Sequence, residues 1–570
     1  MRVEGTLPDK GLWVVVLVLA TQTLLVSPDL MPAYSEINAF DEAKYIESGR
    51  LLLVGELREL AWGPLVALVY APFYLIFGSL PDWFVISAWS GRILLFLALW
   101  LSTYYLSVQL GSPARWHLSL GVLFVSTAFF DVLKNPSDGL FASLSILALA
   151  KLVAYFHKRK EAEIWTGSFL LGLAALARIE AIVLIPALLL SVLLLARPTA
   201  ARPRLLAGSV VPALTILAGY LLFSRLTSPG LISGIGGKSY DSFEVNQPIA
   251  GEGTASDRRE LARSLFGTQA ENQGSVLRAI GRNPAAFARR LITNLGRLPD
   301  LYLFTFGKRL GPVLLIFAAL GSYSMARSRR FTELGFLAIW LAPPLVSLAF
   351  LPLHIMRQAS PLILGLSSVG LSSTLWDDLG KGGKHLPLIG ASLLAGYGLL
   401  DAKLAFLTAG VVLGSALVLI RLTRSGMGEG AASQSRAAAL LLAAGLILRG
   451  SFPFPDYPPI GISPHEQVVH YLQGALPQQS RILESLPLPA VAARMAEAPW
   501  SRVPTGISTP VELGEWLETE AIEAVYIDSR DVPRPELAAL LEAGLGSQFH
   551  IGYQSENGEL RVYLRSGNGG

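Results

Sequence analysis

Residues 164–196 read IWTGSFLLGLAALARIEAIVLIPALLLSVLLLA, two apolar arms joined at Arg178-Ile179-Glu180. The arms offer about 14 and about 16 helical positions, and at about 1.5 Å per residue neither crosses a hydrocarbon core of about 30 Å. The break therefore places Arg178 and Glu180 below the outer surface of a bilayer. Ionisable groups at that depth line a cavity or pair with one another. Two readings follow: an Arg178 that lines a cavity, or an Arg178–Glu180 pair that holds the fold.

Outward from the break, apolar runs at 12–26, 86–108, 116–130, 139–156, 205–224, 308–325, 333–351, 360–376, 386–400, 403–421 and 436–450 bring the expected total to about thirteen membrane spans. With 570 residues, 52% hydrophobic and only 15% charged, the chain holds more apolar surface than a soluble core of this size buries. The run 62–78 is interrupted by Pro64 and Pro72 and is assigned to the outer interface. Run 12–26 is followed by a poor small-residue cleavage site and reads as a retained first helix.

Charge bias orients these spans. With the N-terminus cytoplasmic, the short loops holding Arg115, His157-Lys158-Arg159-Lys160, Arg327 with Arg329 and Arg330, and Lys381 with Lys384 all fall inside, and the C-terminus falls outside. The net charge of +4 is spread over such loops, so no nucleic-acid partner is expected. The absence of cysteine excludes disulfides, thiolate metal sites and cysteine nucleophiles. No Asn-x-Ser/Thr acceptor is present, which fits a bacterial inner membrane.

The expected organisation is a transmembrane domain over 1–450, with outer loops at 27–85 and 226–303, followed by a small soluble α/β domain over 451–570 on the outer side. In that tail Thr509, Pro510 and Glu512 form a capping-box start for a helix running to Thr519. Residues 524–527 read as a strand, and 550–554 and 560–564 flank an Asn-Gly turn as a hairpin.

Charged groups collect on the same outer side. Asp41 and Glu42, in the polar segment after the first span, supply a base for deprotonating a hydroxyl or are simply a solvated loop. Lys134, Asn135 and Asp138 stand at the turn before the fourth span, where Asp138 also suits a helix cap. His354 and Arg357 are expected in the outer turn before the tenth span, with Arg357 a phosphate ligand or a snorkelling anchor. The glycine-rich stretch 230–253 reads as a lid or as a plain connector. Carboxylates Asp41 and Asp138 suit proton abstraction, and Arg178 and Arg357, with planar forks that match phosphate oxygens, suit binding of an anionic group.

In order along the chain, Asp41-Glu-Ala-x-Tyr45, Gly63-Pro-Leu65, Asp138-x-Leu140 and Gly172-Leu-Ala-Ala-Leu-Ala-Arg178-x-Glu180 before Pro186 resemble the membrane glycosyltransferases of the GT-C fold. The nearest resemblance is to the protein O-mannosyltransferase and aminoarabinose transferase superfamily. It implies a polytopic α-helical GT-C-like enzyme that moves a sugar, with inversion, from a polyprenyl-phosphate donor to a lipid, glycan or protein acceptor at the outer membrane face. It also implies Asp41 as base, Glu42 as the second acid of the pair, Asp138 as the second-loop aspartate and Arg178 as the basic residue at the broken helix. Glu180, His354 and Lys134 take supporting places. No cofactor is required, a divalent metal is compatible, and its ligands are unknown from sequence.

The chain departs from the family pattern at Ile179, where proline is common, and at Arg357-Gln-Ala-Ser-Pro361, where Arg-Tyr-x-x-Pro is common; both bear on the substrate. The rival readings are a lipid or solute transporter and a non-catalytic scaffold. A transporter favours midplane sites between repeated halves, whereas here the charged groups share one face and no repeat is visible.

Overall fold

The computed structural model describes residues 41–53, 64–79, 83–112, 122, 125–126, 135–195, 202–227, 240–248, 255–306, 310–350, 352–375, 464–477, 480–484, 496–499, 507, 509–528, 539–540, 548–555 and 558–566. The expected spans at 12–26, 386–400, 403–421 and 436–450, nearly all of 116–130, and the glycine-rich segments 228–239 and 249–254 lie outside these residues.

The chain enters through α1 (Asp41–Leu53), where the sequence predicts a polar loop. Two acids open this helix and Arg50 stands in its last turn, an arrangement that complements the helix dipole. Tyr45, Ile46 and Leu51 are buried, so packing adds to what the charges favour. The proline-interrupted run is also helical. It forms α2 (Pro64–Phe77), with Pro72 inside, and packs on α1 and on α3 (Trp83–Gln109).

Helix α4 (Pro136–Lys158) follows, then α5 (Glu161–Ala177), and the two pack along their lengths. Helix α7 (Arg202–Thr227) packs on α5. Among the described residues, three helical segments, 86–109, 136–158 and 202–223, are long and apolar enough to cross a membrane.

The break predicted after residue 177 is present. Helix α5 ends at Ala177, Arg178 is extended at φ −150° and ψ 122°, a 3-10 helix runs Ile179–Val183, and α6 occupies Leu184–Leu195. Pro186 explains the interruption, because its ring would clash with the carbonyl of Ile182 if one α-helix ran through both. In the first turn of α6 the missing N–H of Pro186 costs nothing.

Between α7 and the next membrane-type helix lies a set of short elements: a helical stretch at 240–245, α8 (Ala255–Phe266), α9 (Val276–Arg282), α10 (Pro284–Gly296) and α11 (Leu298–Phe306). Tyr240, Phe243, Phe266, Val276 and Ala279 form their small core. Side-chain caps from Ser275 and Asn283 start α9 and α10.

The chain then makes α12 (Leu310–Arg327), α13 (Phe331–Phe350) and α14 (Pro352–Leu375). Helices α12 and α14 meet backbone to backbone. A Cβ at Gly370 would overlap the Phe317 carbonyl, and one at Gly321 would overlap that of Leu366. Ser367 donates to the Leu314 carbonyl at 2.9 Å and Ser324 shares a 2.8 Å hydrogen bond with Ser373, which fixes the register. Small residues at a helix contact permit this approach where apolar burial alone gives little drive. Helix α14 also packs on α3 and α4.

The C-terminal part carries helices α15 (Pro464–Ala475) and α16 (Pro510–Thr519) and strands β1 (Arg481–Glu484), β2 (Ala496–Pro499), β3 (Ile522–Asp528), β4 (Phe549–Gln554) and β5 (Leu560–Arg565). The sheet order is β2-β1-β3-β5-β4, with β1 parallel to β2 and β3 and the β4–β5 hairpin antiparallel. Thr509 and Glu512 make the predicted reciprocal capping box. Gly558 takes φ +71° in the hairpin turn, a conformation open to glycine.

Candidate functional site

The broken helix and the start of α4 come together around one carboxylate. Asp138 stands in the first turn of α4, and its side chain is fully buried, at 0% exposure. Arg178 Nη1 donates to its Oδ1 at 2.6 Å, and Arg357 Nη1 lies 2.6 Å from Oδ2 as an ion pair without hydrogen-bond alignment. The N-cap residue Asn135 makes no side-chain cap hydrogen bond, and Asp138 is the acid of the first turn, where it complements the helix dipole.

Arg178 is held on two further sides. Its Nη1 also donates to Ser137 Oγ at 3.0 Å, and Ser137 in turn donates to Asn135 Oδ1 at 2.6 Å. Its Nη2 reaches Glu180 Oε1 at 3.4 Å. Arg178 is thus paired with two carboxylates, Asp138 as the shorter contact and Glu180 the longer.

Arg357 and His354 are not in a turn as the sequence predicts. They lie within the first two turns of α14, because Pro352 suits the first helical position and the helix continues through Pro361. Gln358, next to Arg357, is buried, and its amide donates to the Glu180 carbonyl at 3.5 Å. This contact joins α14 to the 3-10 segment. Sequence reading singles out neither Ser137 nor Gln358, and their adjacency to Asp138 and Arg357 is the available signal.

The exposures have a direction. Asp138 is sealed, whereas the side chains of Arg178, Arg357 and Glu180 keep 16%, 17% and 21% of their surface. Both guanidiniums are thus anchored on a buried carboxylate. Tyr45 of α1 is buried within electrostatic reach of Arg178, so α1 borders the same place. Asp41 precedes Tyr45 by four residues and occupies the same face of α1. The side chains of Asp41, Glu42 and His354, and the whole of Lys134, lie outside the described residues. Among the described residues no three His, Asp or Glu side chains converge as a metal-ligand set.

No protein-family model and no curated protein matches this sequence. Solved structures do match, and the similarity is one of fold. The crystal structure of ArnT from Cupriavidus metallidurans bound to undecaprenyl phosphate superposes with a TM-score of 0.52 at 16% identity, over 99% of this chain and 100% of that one. The apo oligosaccharyltransferase of Archaeoglobus fulgidus aligns over 98% of this chain and 75% of its own, at TM-score 0.38 and 14% identity. The archaeal oligosaccharyltransferase AglB from the same organism, in complex with an inhibitory peptide and a dolichol-phosphate, aligns over 93% and 70% at TM-score 0.38 and 14% identity. At that similarity only the ArnT superposition bears weight, and it speaks to the fold.

Proposed function

We propose that this protein is an inverting glycosyltransferase that moves a sugar from a polyprenyl-phosphate donor to an acceptor hydroxyl or amine at the outer face of the membrane. The observation that carries the reading is the convergence of Arg178 and Arg357, from helices far apart in sequence, on the buried carboxylate of Asp138. Two guanidiniums drawn to one buried carboxylate suit a phosphate leaving group on which negative charge develops. Asp138 acts here as an orienting residue, because both of its oxygens face cations and none of its surface meets solvent.

The base falls to α1. In the proposed step, a carboxylate of Asp41, with Glu42 beside it, takes the acceptor proton while the acceptor atom attacks the anomeric carbon. The bond from that carbon to the phosphate oxygen breaks, and the electron pair leaves on the polyprenyl phosphate between Arg178 and Arg357. The ArnT crystal structure is described as bound to undecaprenyl phosphate, which supports a lipid-phosphate site in this fold.

We further propose about thirteen spans, a transmembrane domain over 1–450 with outer loops at 27–85 and 226–303, and an outer α/β domain over 451–570. The N-terminus is cytoplasmic and the C-terminus external, in a bacterial inner membrane. His354, Lys134 and Glu180 support the site, and the acceptor is a lipid, glycan or protein.

The test is release of polyprenyl phosphate from sugar-linked donors by purified full-length protein in lipid. Turnover by the wild type should fall about 100- to 10,000-fold in Asp41→Asn, the usual contribution of a general base. Equal turnover in the two, in protein of matched insertion, removes Asp41 from the mechanism. Vectorial donor movement across vesicles without any sugar transfer points instead to a transporter.

A further inference from the structure

Arg290 in α10 is a second buried cation, and it shares no residue with the cluster at Asp138. It is 1% exposed. Its guanidinium carbon stacks 4.2 Å from the ring centroid of Phe243, and Nη1 donates to Gln247 Oε1 at 3.1 Å. Its Nε and Nη2 have no partner among the described residues.

The nearby acids are engaged elsewhere. Glu244 takes Arg263 through both oxygens at 3.0 Å, and Asp241 takes Arg259 at 2.9 Å. A buried guanidinium without a counter-charge is costly, and burial alone pushes Arg290 down to about 10, from a value at which arginine is always charged. Buried donors that lack partners call for an explanation.

The geometry of the unfilled donors is specific. Nε and Nη2 form the side edge of the guanidinium, the edge that grips two oxygens of one anionic centre. Phe243 fixes the plane of that fork from one face, and Gln247 occupies the Nη1 corner, so the unpartnered edge is preorganised. On the far side of α10, Ile292 is 69% and Leu295 46% exposed, and Leu277 of α9 is 75% exposed. Apolar side chains turned outward from helices that flank membrane spans suit a bilayer surface, where phosphate is the dense anion.

We propose that the Nε–Nη2 edge of Arg290, framed by Phe243 and Gln247, binds a phosphate group, either free or carried on a lipid headgroup. The site is additional to the Arg178–Arg357 pair and does not require that pair to act on a sugar donor.

Full-length protein in detergent tests this by calorimetric titration with inorganic phosphate, dihexanoyl phosphatidic acid and acetate. Arg290→Met should lose one phosphate-binding event or weaken it at least about 10-fold, while Arg290→Lys, which keeps charge without the fork, falls between. Arg357→Lys in parallel should leave the Arg290-dependent event intact, which separates this site from the first. Phosphatidic acid binding more tightly than phosphate identifies a lipid headgroup, and equal binding identifies free phosphate. Wild-type binding by Arg290→Met, or acetate bound as well as phosphate, overturns the proposal. Removing a buried unpaired cation should leave thermal stability of the ligand-free Arg290→Met protein at or above wild type. If that variant fails to fold, Arg290 is structural, and wild-type phosphate affinity in Arg290→Lys overturns the fork.

Discussion

Replacing Asp138 by Asn removes the one carboxylate that two guanidiniums share. Unit charges about 4 Å apart attract by about 4 kcal/mol at an effective dielectric of about 20, and desolvation offsets part of that gain. Removing one member of a buried ion pair costs about 3–5 kcal/mol. Arg178 and Arg357 keep 16% and 17% of their side-chain surface, and Arg178 retains Glu180, so solvent and a second acid soften the loss. The expected cost for Asp138→Asn is therefore near about 3 kcal/mol, the lower end of that range. Arg357→Ala should cost less, because Asp138 keeps Arg178 and its neighbour Ser137.

Reversible unfolding in mixed micelles, followed by tryptophan fluorescence, measures both variants and their double, so the pair can be isolated as a coupling energy. A polyprenyl phosphate adds a second reading. Bound to the native state at about 100 times its Kd, it stabilises by about 2.7 kcal/mol. In Asp138→Asn the phosphate also neutralises two cations left facing one another, so stabilisation at matched lipid concentration should exceed that of the wild type. An unfolding free energy for Asp138→Asn within about 0.5 kcal/mol of wild type refutes the shared clamp. Equal stabilisation of both proteins by the lipid refutes its assignment to phosphate.

Gly370→Ala should destabilise by about 1–3 kcal/mol through overpacking against the Phe317 carbonyl, whereas Gly219→Ala, with nothing within 4 Å, should not; thermal unfolding compares them. Thr509→Ala should cost about 1 kcal/mol by removing the capping box, read as faster amide exchange over α16 in the full chain. Glu271 is held below the usual carboxylate range, first by the Thr268 backbone N–H at 2.6 Å and then by its hydroxyl. The turn after α8 is thus fully supported above the ordinary carboxylate value and loosens as pH falls through the lowered one; exchange at 268–274 should show this, and Glu271→Gln should abolish the pH dependence.

The helix break was readable because it rests on length and on Pro186, both local properties. The capping box at Thr509 and the glycine in the β4–β5 turn were readable for the same reason. Helix α1 was not, because Asp41-Glu42 reads as polar loop until the dipole and the burial of Tyr45 and Ile46 are weighed together. Arg357 reads as a turn residue because it falls between the apolar runs 333–351 and 360–376, although Pro352 opens α14 and Pro361 is carried inside it. The convergence of Asp138, Arg178 and Arg357 was beyond sequence, since it depends on α4 and α14 packing together across more than two hundred residues. Arg290 looked like one of many loop arginines, and only its burial sets it apart.

The glycine contact between α12 and α14 has a mechanical consequence. Rolling or sliding α14 along α12 would drive Gly321 and Gly370 off positions that admit such an approach and would break the serine links beside them. Arg357 therefore rides on a fixed jaw. Arg178 rides on a joint, with extended backbone on one side and a 3-10 turn on the other, whose hydrogen bonding is weaker than that of an α-helix. A vise with one fixed and one compliant jaw adjusts from a single side, so differences in the size of whatever it grips should be absorbed by residues 178–183. Drift in sequence there should retune fit without disturbing the frame.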